Sequence, residues 1–387
     1  MNLVGAALLL IFILVQWRVT HLLWRAAGRR FRNRTARLAR AAVLVFGVAM
    51  LFGYLCTFSD LIARLGLPGQ STMIVGAAAF VYFLGVTSGL AVQAVLGRVR
   101  RRFADDVDPG RRRALNAVGN VLMASPFVLI GYGALVQRTD FRVRELDVEI
   151  PGLPHDLDGL RLLQISDIHL SAFLSEAELA RVVDAAVELR PHLALITGDL
   201  ISFRGDPLDG CIRQLARVKA DAGVFACMGN HERYAGVERV AEEAAARVGI
   251  RFLRHRAQPL RFGDSTLNLA GVDYQPMGGR KTYLRGAERL VVPGACNVLL
   301  SHNPDVFPVA AAQGYNLLLA GHTHGGQVTV EILDRGINPA RFFTPYVYGL
   351  YRAGTSVAHV TRGIGTIGIP ARIGAPPEIS VLRLRKA

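Results

Sequence analysis

Apolar and polar positions follow two different regimes along this chain, and the change comes near residue 137. Before it lie four long apolar runs, at about 3–17, 41–58, 73–97 and 115–137. A helix needs about 20 apolar residues to cross a hydrocarbon core. The last three runs meet that length, and the first does so with its flanking Val19, Leu22, Leu23 and Trp24. No basic segment precedes the first run and no small-x-small site closes it, so it reads as a span and not as a cleaved leader.

After residue 137 the apolar runs are short. Residues 138–160 alternate apolar and polar and turn at Pro151-Gly152 and Asp158-Gly159, which predicts an edge strand. Three β-type runs follow, at 160–166, 193–197 and 224–228. Between the first two, Ser175 and Glu178 form a capping box ahead of Leu179, Val182, Val183, Ala186 and Leu189, which keep helical spacing. Further helices are predicted at about 206–220 and 236–248. From about 251 short strands take over, including 298–300 and 316–320. Alternating strands and helices followed by strands predict an α/β layered domain. The expected division is a membrane domain of about four helices at 1–137 and a catalytic domain at 138–387.

Composition agrees with this split. The chain of 387 residues is 51% hydrophobic with a mean hydropathy of +0.30, and the apolar excess lies before residue 137. The net charge of +15 would suggest a nucleic-acid partner if it were spread over a face. Instead it is concentrated in two groups between apolar runs, from Arg18 to Arg40 and from Arg98 to Arg113, so no nucleic-acid binding is expected. Basic loops stay in the cytoplasm. The loop at 59–72, with only Asp60 and Arg64, is therefore expected outside, and so is everything after residue 137. This predicts an integral protein of the cytoplasmic membrane with an extracytoplasmic catalytic domain. No acidic residue lies within a span, so nothing points to an ion pathway. The four cysteines form no CxxC pair and read as small buried hydrophobes.

The chemistry is concentrated in five clusters: Asp167-Ile168-His169, Gly198-Asp199, Gly229-Asn230-His231-Glu232, Ser301-His302-Asn303 and Gly321-His322-Thr323-His324. Each follows a β-type run and so is expected at the carboxyl end of a strand, where open α/β sheets build their sites. A two-metal centre needs a bridging ligand, oxygen and imidazole donors, and an open position for water. Asp199 suits the bridge. Asp167 and His169, two apart on one loop, can turn toward one ion, and Asn230 offers an amide oxygen. His322 and His324 are flanked by Gly321, Gly325 and Gly326, which let the backbone fold tightly. A His/carboxylate/amide shell without Cys suits Mn, Fe or Zn. Two such ions would turn a bridging water into hydroxide near neutral pH and offset phosphoryl charge. His231 is the candidate acid for the leaving oxygen, with Glu232 as its orienting partner. Any one cluster alone would be read as a turn. His21, His155, His192, His255 and His359 lack such neighbours and are read as ordinary histidines.

In this order the five clusters resemble the signature of the calcineurin-like metallophosphoesterase superfamily, over roughly residues 141–385. The resemblance implies an αββα sandwich, a double β-sheet flanked by helices. It implies Asp167, His169, Asp199 and His324 around a first metal, Asp199, Asn230, His302 and His322 around a second, and His231 as the acid. Residues 321–327 (GHTHGGQ), 361–366 (TRGIGT) and 376–379 (PPEI) are similar to a bacterial branch of membrane-associated phosphoesterases. That branch includes phosphodiesterases and UDP-diacylglucosamine pyrophosphatases. Glu232 stands where many members carry Asp.

Arg362 and Arg372 are candidates to clamp substrate phosphate, or else surface or hairpin charges. The aromatic stretch Phe342, Phe343, Tyr346, Tyr348 and Tyr351 packs a hairpin or faces a lipid tail. The expected function is a membrane-anchored, dinuclear phosphohydrolase of phosphodiester or pyrophosphate bonds in lipid-linked or envelope substrates. The alternatives are a phosphomonoesterase or nucleotide phosphodiesterase and, from another class, a non-catalytic membrane scaffold or sensor. Complete ligand positions argue against the last. The sequence assigns no oligomeric state.

Overall fold

Leu3–Arg30, Asn33–Phe58, Gly69–Arg102 and Pro109–Leu135 are helices in the computed structural model, which describes residues 3–58, 69–102, 109–332 and 335–387. All four are long and apolar enough to cross a membrane. They outrun the apolar stretches because arginine is itself a good helix former, so Arg25, Arg29 and Arg30 continue the first helix. Small residues let neighbouring helices approach. A Cβ on Gly53 would lie 2.4 Å from that of Ala79, and one on Gly85 2.9 Å from the ring of Phe127. Asp60 and Arg64, on which the outward loop rests, lie outside the described residues.

The chain divides into two compact units, Met1–Ala134 with Gly368–Pro370, and Leu135–Ile367 with Ala371–Ala387. The second unit contains two six-stranded sheets. In the first, the strands are β1 (Arg142–Ile150), β2 (Arg161–Ile165), β3 (Leu193–Ile196), β4 (Val224–Ala226), β5 (Ile250–Phe252) and β14 (Glu378–Lys386). Their order is β1-β14-β2-β3-β4-β5. β2 to β5 are parallel; β14 runs antiparallel to β2 and parallel to β1, pairing Arg142 with Glu378. The second sheet contains β6 (Arg256–Phe262), β7 (Ser265–Gly271), β8 (Cys296–Leu300), β9 (Leu317–Ala320), β12 (Gly349–Ala353) and β13 (Ser356–Val360). Their order is β12-β13-β9-β8-β7-β6, with β7, β8, β9 and β13 parallel. A hairpin of β10 (Val330–Ile332) and β11 (Arg335–Ile337) stands apart.

Side chains alternate across a strand, so each sheet buries one face against the other. Leu162, Leu193, Leu195 and Phe225 of the first sheet meet Leu267, Leu269, Val298, Leu300 and Leu319 of the second. The outer face of the first sheet, through Leu163, Ile165 and Ile196, is covered by Leu179, Val182 and Val183 of helix Glu176–Glu188 and Cys211 and Leu215 of helix Leu208–Leu215. Val306, Phe307 and Ala310 cover the outer face of the second. This is the layered α/β domain that the alternation predicts, in the αββα form that the resemblance implies. The capping box at Ser175 forms as read: its hydroxyl accepts from the Glu178 amide at 3.2 Å. Helix Leu208–Leu215 is shorter than predicted because Pro207 sits at its N-cap and the chain turns after Leu215. A helix the periodicity does not show, Asn230–Ala235, begins inside the fourth strand's motif.

Candidate metal centre

Beyond the last ladder bonds of β2 and β3, the two strand-end loops continue to pair. The Asp167 amide donates to the Gly198 carbonyl and the His169 amide to the Asp199 carbonyl, both at 3.0 Å. Asp167, His169, Asp199, His322 and His324 all have positive φ, between 49° and 74°. Non-glycine residues seldom adopt this left-handed region, and such strain persists only where the surroundings impose it. Here the surroundings are glycine backbone pressed against the side chains of the neighbouring motif. A Cβ on Gly321 would lie 2.1 Å from Ser166 Oγ, and one on Gly229 2.1 Å from Asp199 Oδ1. The amide of His322 donates to Asp167 Oδ1 at 2.9 Å, and that of His231 to Asp199 Oδ1 at 2.9 Å.

These turns bring donor atoms from both sheets together. Asp167, His169 and His324 form one group, and Asp199, His302 and His322 another; His169, Asp199 and His231 form a third that overlaps both. Within each group the ligating atoms lie within 4.8 Å of one another. His169 Nε2 is 3.1 Å from His324 Nε2 and 3.4 Å from Asp199 Oδ2; His302 Nε2 is 3.0 Å from the same oxygen. Asn230 Oδ1 is buried and makes no hydrogen bond. His302 Nε2 is also without one, its approach to Asp199 failing on angle. Buried polar atoms are nearly always bonded, so these two unspent polar atoms, the His302 nitrogen beside Asp199 and the Asn230 oxygen next to the His231 motif, fit a cation.

The imidazoles are fixed from behind. His302 Nδ1 lies 2.6 Å from the Thr197 carbonyl, His169 Nδ1 3.1 Å from Ser202 Oγ, and His231 Nδ1 2.6 Å from the Ser202 carbonyl. An Nδ1–H given to an oxygen leaves Nε2 as the acceptor facing the centre. Burial pushes His322 down to about 3, and burial with the neighbouring His169 holds His324 well below the usual imidazole range. Both are therefore neutral, as ligation requires. At His302 burial opposes protonation, but Asp199 and Asp167 outweigh it and raise the group to about 10. Without metal, His302 thus keeps a proton beside two carboxylates, in a place suited to a larger cation. Burial raises Asp167, whereas at Asp199 burial is overcome by His302 and His169, which hold it well below the carboxylate range.

Two sequence expectations are corrected. Glu232 does not touch His231. Its carboxylate accepts from the amides of Gly229 (2.8 Å), Asp199 (3.0 Å) and Leu200 (2.6 Å). At the third position of a helix a glutamate folds back over the N-terminus, so it fastens the Asp199 loop while the Ser202 carbonyl orients His231. Glu232→Gln places an NH2 group where an amide donor is met. We expect a loss of about 2–3 kcal/mol in thermal unfolding, with the pH–rate profile assigned to His231 keeping its shape.

Arg372 is fully buried. It donates to the carbonyls of Gly365, His324, Ala375, Arg362 and Gly363. Its donors are spent on the backbone, and none is left for a phosphate. Arg362 is half-buried with its guanidinium 3.8 Å from the centre of the Tyr348 ring. The aromatic stretch divides. Tyr346 packs edge-on to Phe307 and Tyr351, whereas Phe342 and Phe343 stand 89% and 70% exposed.

Ser202 and Tyr274 were not singled out in the sequence. Tyr274, just beyond β7, sets its ring 5.7 Å from His322 and 6.1 Å from His302. Its position after a strand, as with the other motifs, was the only available signal. His359 is buried and joined to Gln164 Oε1 at 2.7 Å, away from the donor groups.

The family model of the calcineurin-like phosphoesterases matches residues 160–326. An uncharacterized metallophosphoesterase of Bacillus subtilis, YkuE, is 29% identical over 284 residues, covering 71% of this chain and 97% of that protein. A transmembrane protein with metallophosphoesterase domain from Danio rerio is 30% identical over 272 residues, covering 67% and 61% respectively. The phosphodiesterase YaeI of Escherichia coli is 29% identical over 227 residues, covering 58% and 82%.

Proposed function

We propose that this chain, which belongs to the calcineurin-like metallophosphoesterase superfamily and is a phosphoester hydrolase, binds two divalent transition-metal ions and cleaves phosphodiester or pyrophosphate bonds. The observation that carries this is the convergence on buried Asp199 of donor groups from both sheets. One group comprises Asp167, His169 and His324, with Asp199 beside it. The other comprises Asp199, His302 and His322, joined by Asn230 through its unspent oxygen. When bound, the two ions would supply Lewis acidity that ionises water and offsets phosphoryl charge. Mn, Fe and Zn all suit the donor set.

The chain's own residues do the rest. Asp199 holds negative charge between the two groups, and the Glu232 carboxylate fixes the loop that presents it. Ser202 supplies a hydroxyl to His169 and a carbonyl to His231, so one residue sets the angle of both rings. Burial lowers the pKa of His231. Donation to a leaving oxygen needs the imidazolium, which burial disfavours, so a rate that depends on this acid should fall as pH rises through the His231 pKa. His231→Ala is expected to slow hydrolysis of an alkyl phosphodiester about 100-fold. A nitrophenyl diester, whose leaving group needs no proton, should slow far less. Equal losses on both substrates would remove the acid role.

The four membrane-capable helices make this a membrane protein. We place the division near residue 137, with the catalytic domain extracytoplasmic by the arginine distribution and the substrates lipid-linked or envelope phosphoesters. The test is hydrolysis by full-length protein, metal-stripped and then loaded with Mn, Zn or Fe, of a lipid-linked pyrophosphate beside soluble nucleotides. Faster cleavage of the lipid-linked compound is expected. Much faster cleavage of nucleotides would overturn the substrate class.

A further inference from the structure

After residue 137, Phe342 and Phe343 are the most exposed large hydrophobic side chains among the described residues. They end a short helical turn, Pro339–Phe342, whose start is held firmly. Asn338 donates to the Gly325 carbonyl at 2.8 Å and accepts from the Ala340 amide. Immediately after the pair, at Thr344, the chain is pinned again, by a hydroxyl donated to buried Asp305. The two rings are thus presented outward on a loop anchored at both ends, and one anchor belongs to the His324 motif.

Asp305 also has a second partner. Arg280 Nη2 lies 3.4 Å from its other oxygen. Arg280 belongs to the segment between β7 and β8, where Arg280, Lys281, Arg285 and Arg289 are exposed and Glu288 is the one acid between residues 277 and 290. That segment is tied to the centre as well, since Asn303, next to His302, donates to the Gln275 carbonyl at 2.7 Å and to Tyr283 Oη at 3.2 Å. One buried carboxylate therefore joins an exposed aromatic pair, with Arg341 beside it, to a basic segment. Both flank the candidate metal centre.

We propose that this surface docks on a phospholipid bilayer bearing anionic headgroups. Phe342 and Phe343 enter the boundary between headgroups and acyl chains, while Lys281, Arg285 and Arg341 contact lipid phosphates. Exposed aromatics rimmed by cations form the side-chain pattern of an interfacial contact. Four helices of the same chain are long and apolar enough to cross a membrane, which would keep a bilayer at hand. The docked loop is anchored through Asn338 and, by way of Thr344, Asp305, so docking would hold the metal centre near the bilayer surface. The docking claim itself does not depend on hydrolysis.

The experiment is Trp fluorescence of full-length Phe343→Trp in lipid nanodiscs, read as the difference from wild type, whose own Trp17 and Trp24 lie in the first helix. In discs rich in phosphatidylglycerol, brominated acyl chains should remove roughly half of the difference signal, as for a ring buried about 5–10 Å into the interface. The triple variant Lys281→Glu/Arg285→Glu/Arg341→Glu in the same background should abolish that quenching. Unquenched, water-like emission would overturn the proposal. So would a blue-shifted but unquenched signal, which would place the ring against protein, including a second copy of this chain. Quenching that survives charge reversal would overturn the anionic-headgroup claim.

Discussion

Replacing Asp199 by Asn is expected to lower kcat/KM for an aryl phosphodiester by at least about 1,000-fold, or roughly 4 kcal/mol of transition-state stabilisation. Bound metal should fall from about two ions per chain to about one. The substitution is nearly isosteric. Asn can still accept the His231 amide that Asp199 Oδ1 accepts now at 2.9 Å. What disappears is the second oxygen, Oδ2, which lies 3.0 Å from His302 Nε2 and 3.4 Å from His169 Nε2. An amide nitrogen there cannot ligate a cation, and it removes the negative charge shared by the two donor groups. Hydrolysis and elemental analysis on the same metal-reloaded sample, beside wild type, separate the two effects. Full activity with two ions retained would mean that Asp199 bridges nothing.

Arg372→Met should be the most destabilising single change near the centre, costing about 3–5 kcal/mol. In a unit of this size that lowers the melting temperature of metal-stripped protein by roughly 10 °C. The guanidinium satisfies five carbonyls from three separate stretches, at His324, at Arg362 to Gly365, and at Ala375. A thioether satisfies none and leaves them buried. The middle stretch in turn supports the metal centre, because Gly365 donates to the Asp167 carbonyl at 2.7 Å and Ile364 to that of Ser166. Arg372→Lys keeps the charge but supplies three donors from one point, and should recover only part of the loss. A phosphate clamp would behave in the opposite way, with KM raised and melting unchanged.

The comparison of these two residues shows what sequence can carry. Asp199 was legible because a short apolar run ends in Gly198-Asp199, and strand ends are where such sheets place chemistry. The same reasoning located Asp167, Asn230, His302 and His322 at strand ends, and the structure brings the side chains of Asp167, His302 and His322 together around Asp199. Arg372 was not legible, because its partners are carbonyls scattered over about fifty positions and backbone oxygens leave no trace in residue identity. Glu232 was misread for a related reason. Adjacency to His231 suggested contact, but the helix that opens at Asn230 turns the glutamate backward. Ser202 acts through its carbonyl on His231, which any residue type would provide. Sheet order was equally hidden, since nothing local in 378–386 announces which strands it will join.

That order has a consequence for how the chain is made. β14 lies between β1 and β2, so β2, which leads to Asp167, has a bare edge until residue 386 has left the ribosome. At about 5–20 residues per second, β1 waits roughly ten seconds or more for its partner. The four apolar helices, completed earlier, will by then be in the bilayer. Until β14 arrives, β2 offers an open row of amides and carbonyls, the kind of edge that recruits other strands. Assembly of this domain should therefore be most vulnerable to aggregation in the interval before β14 emerges, and most in need of a chaperone on the side of the membrane where that strand appears.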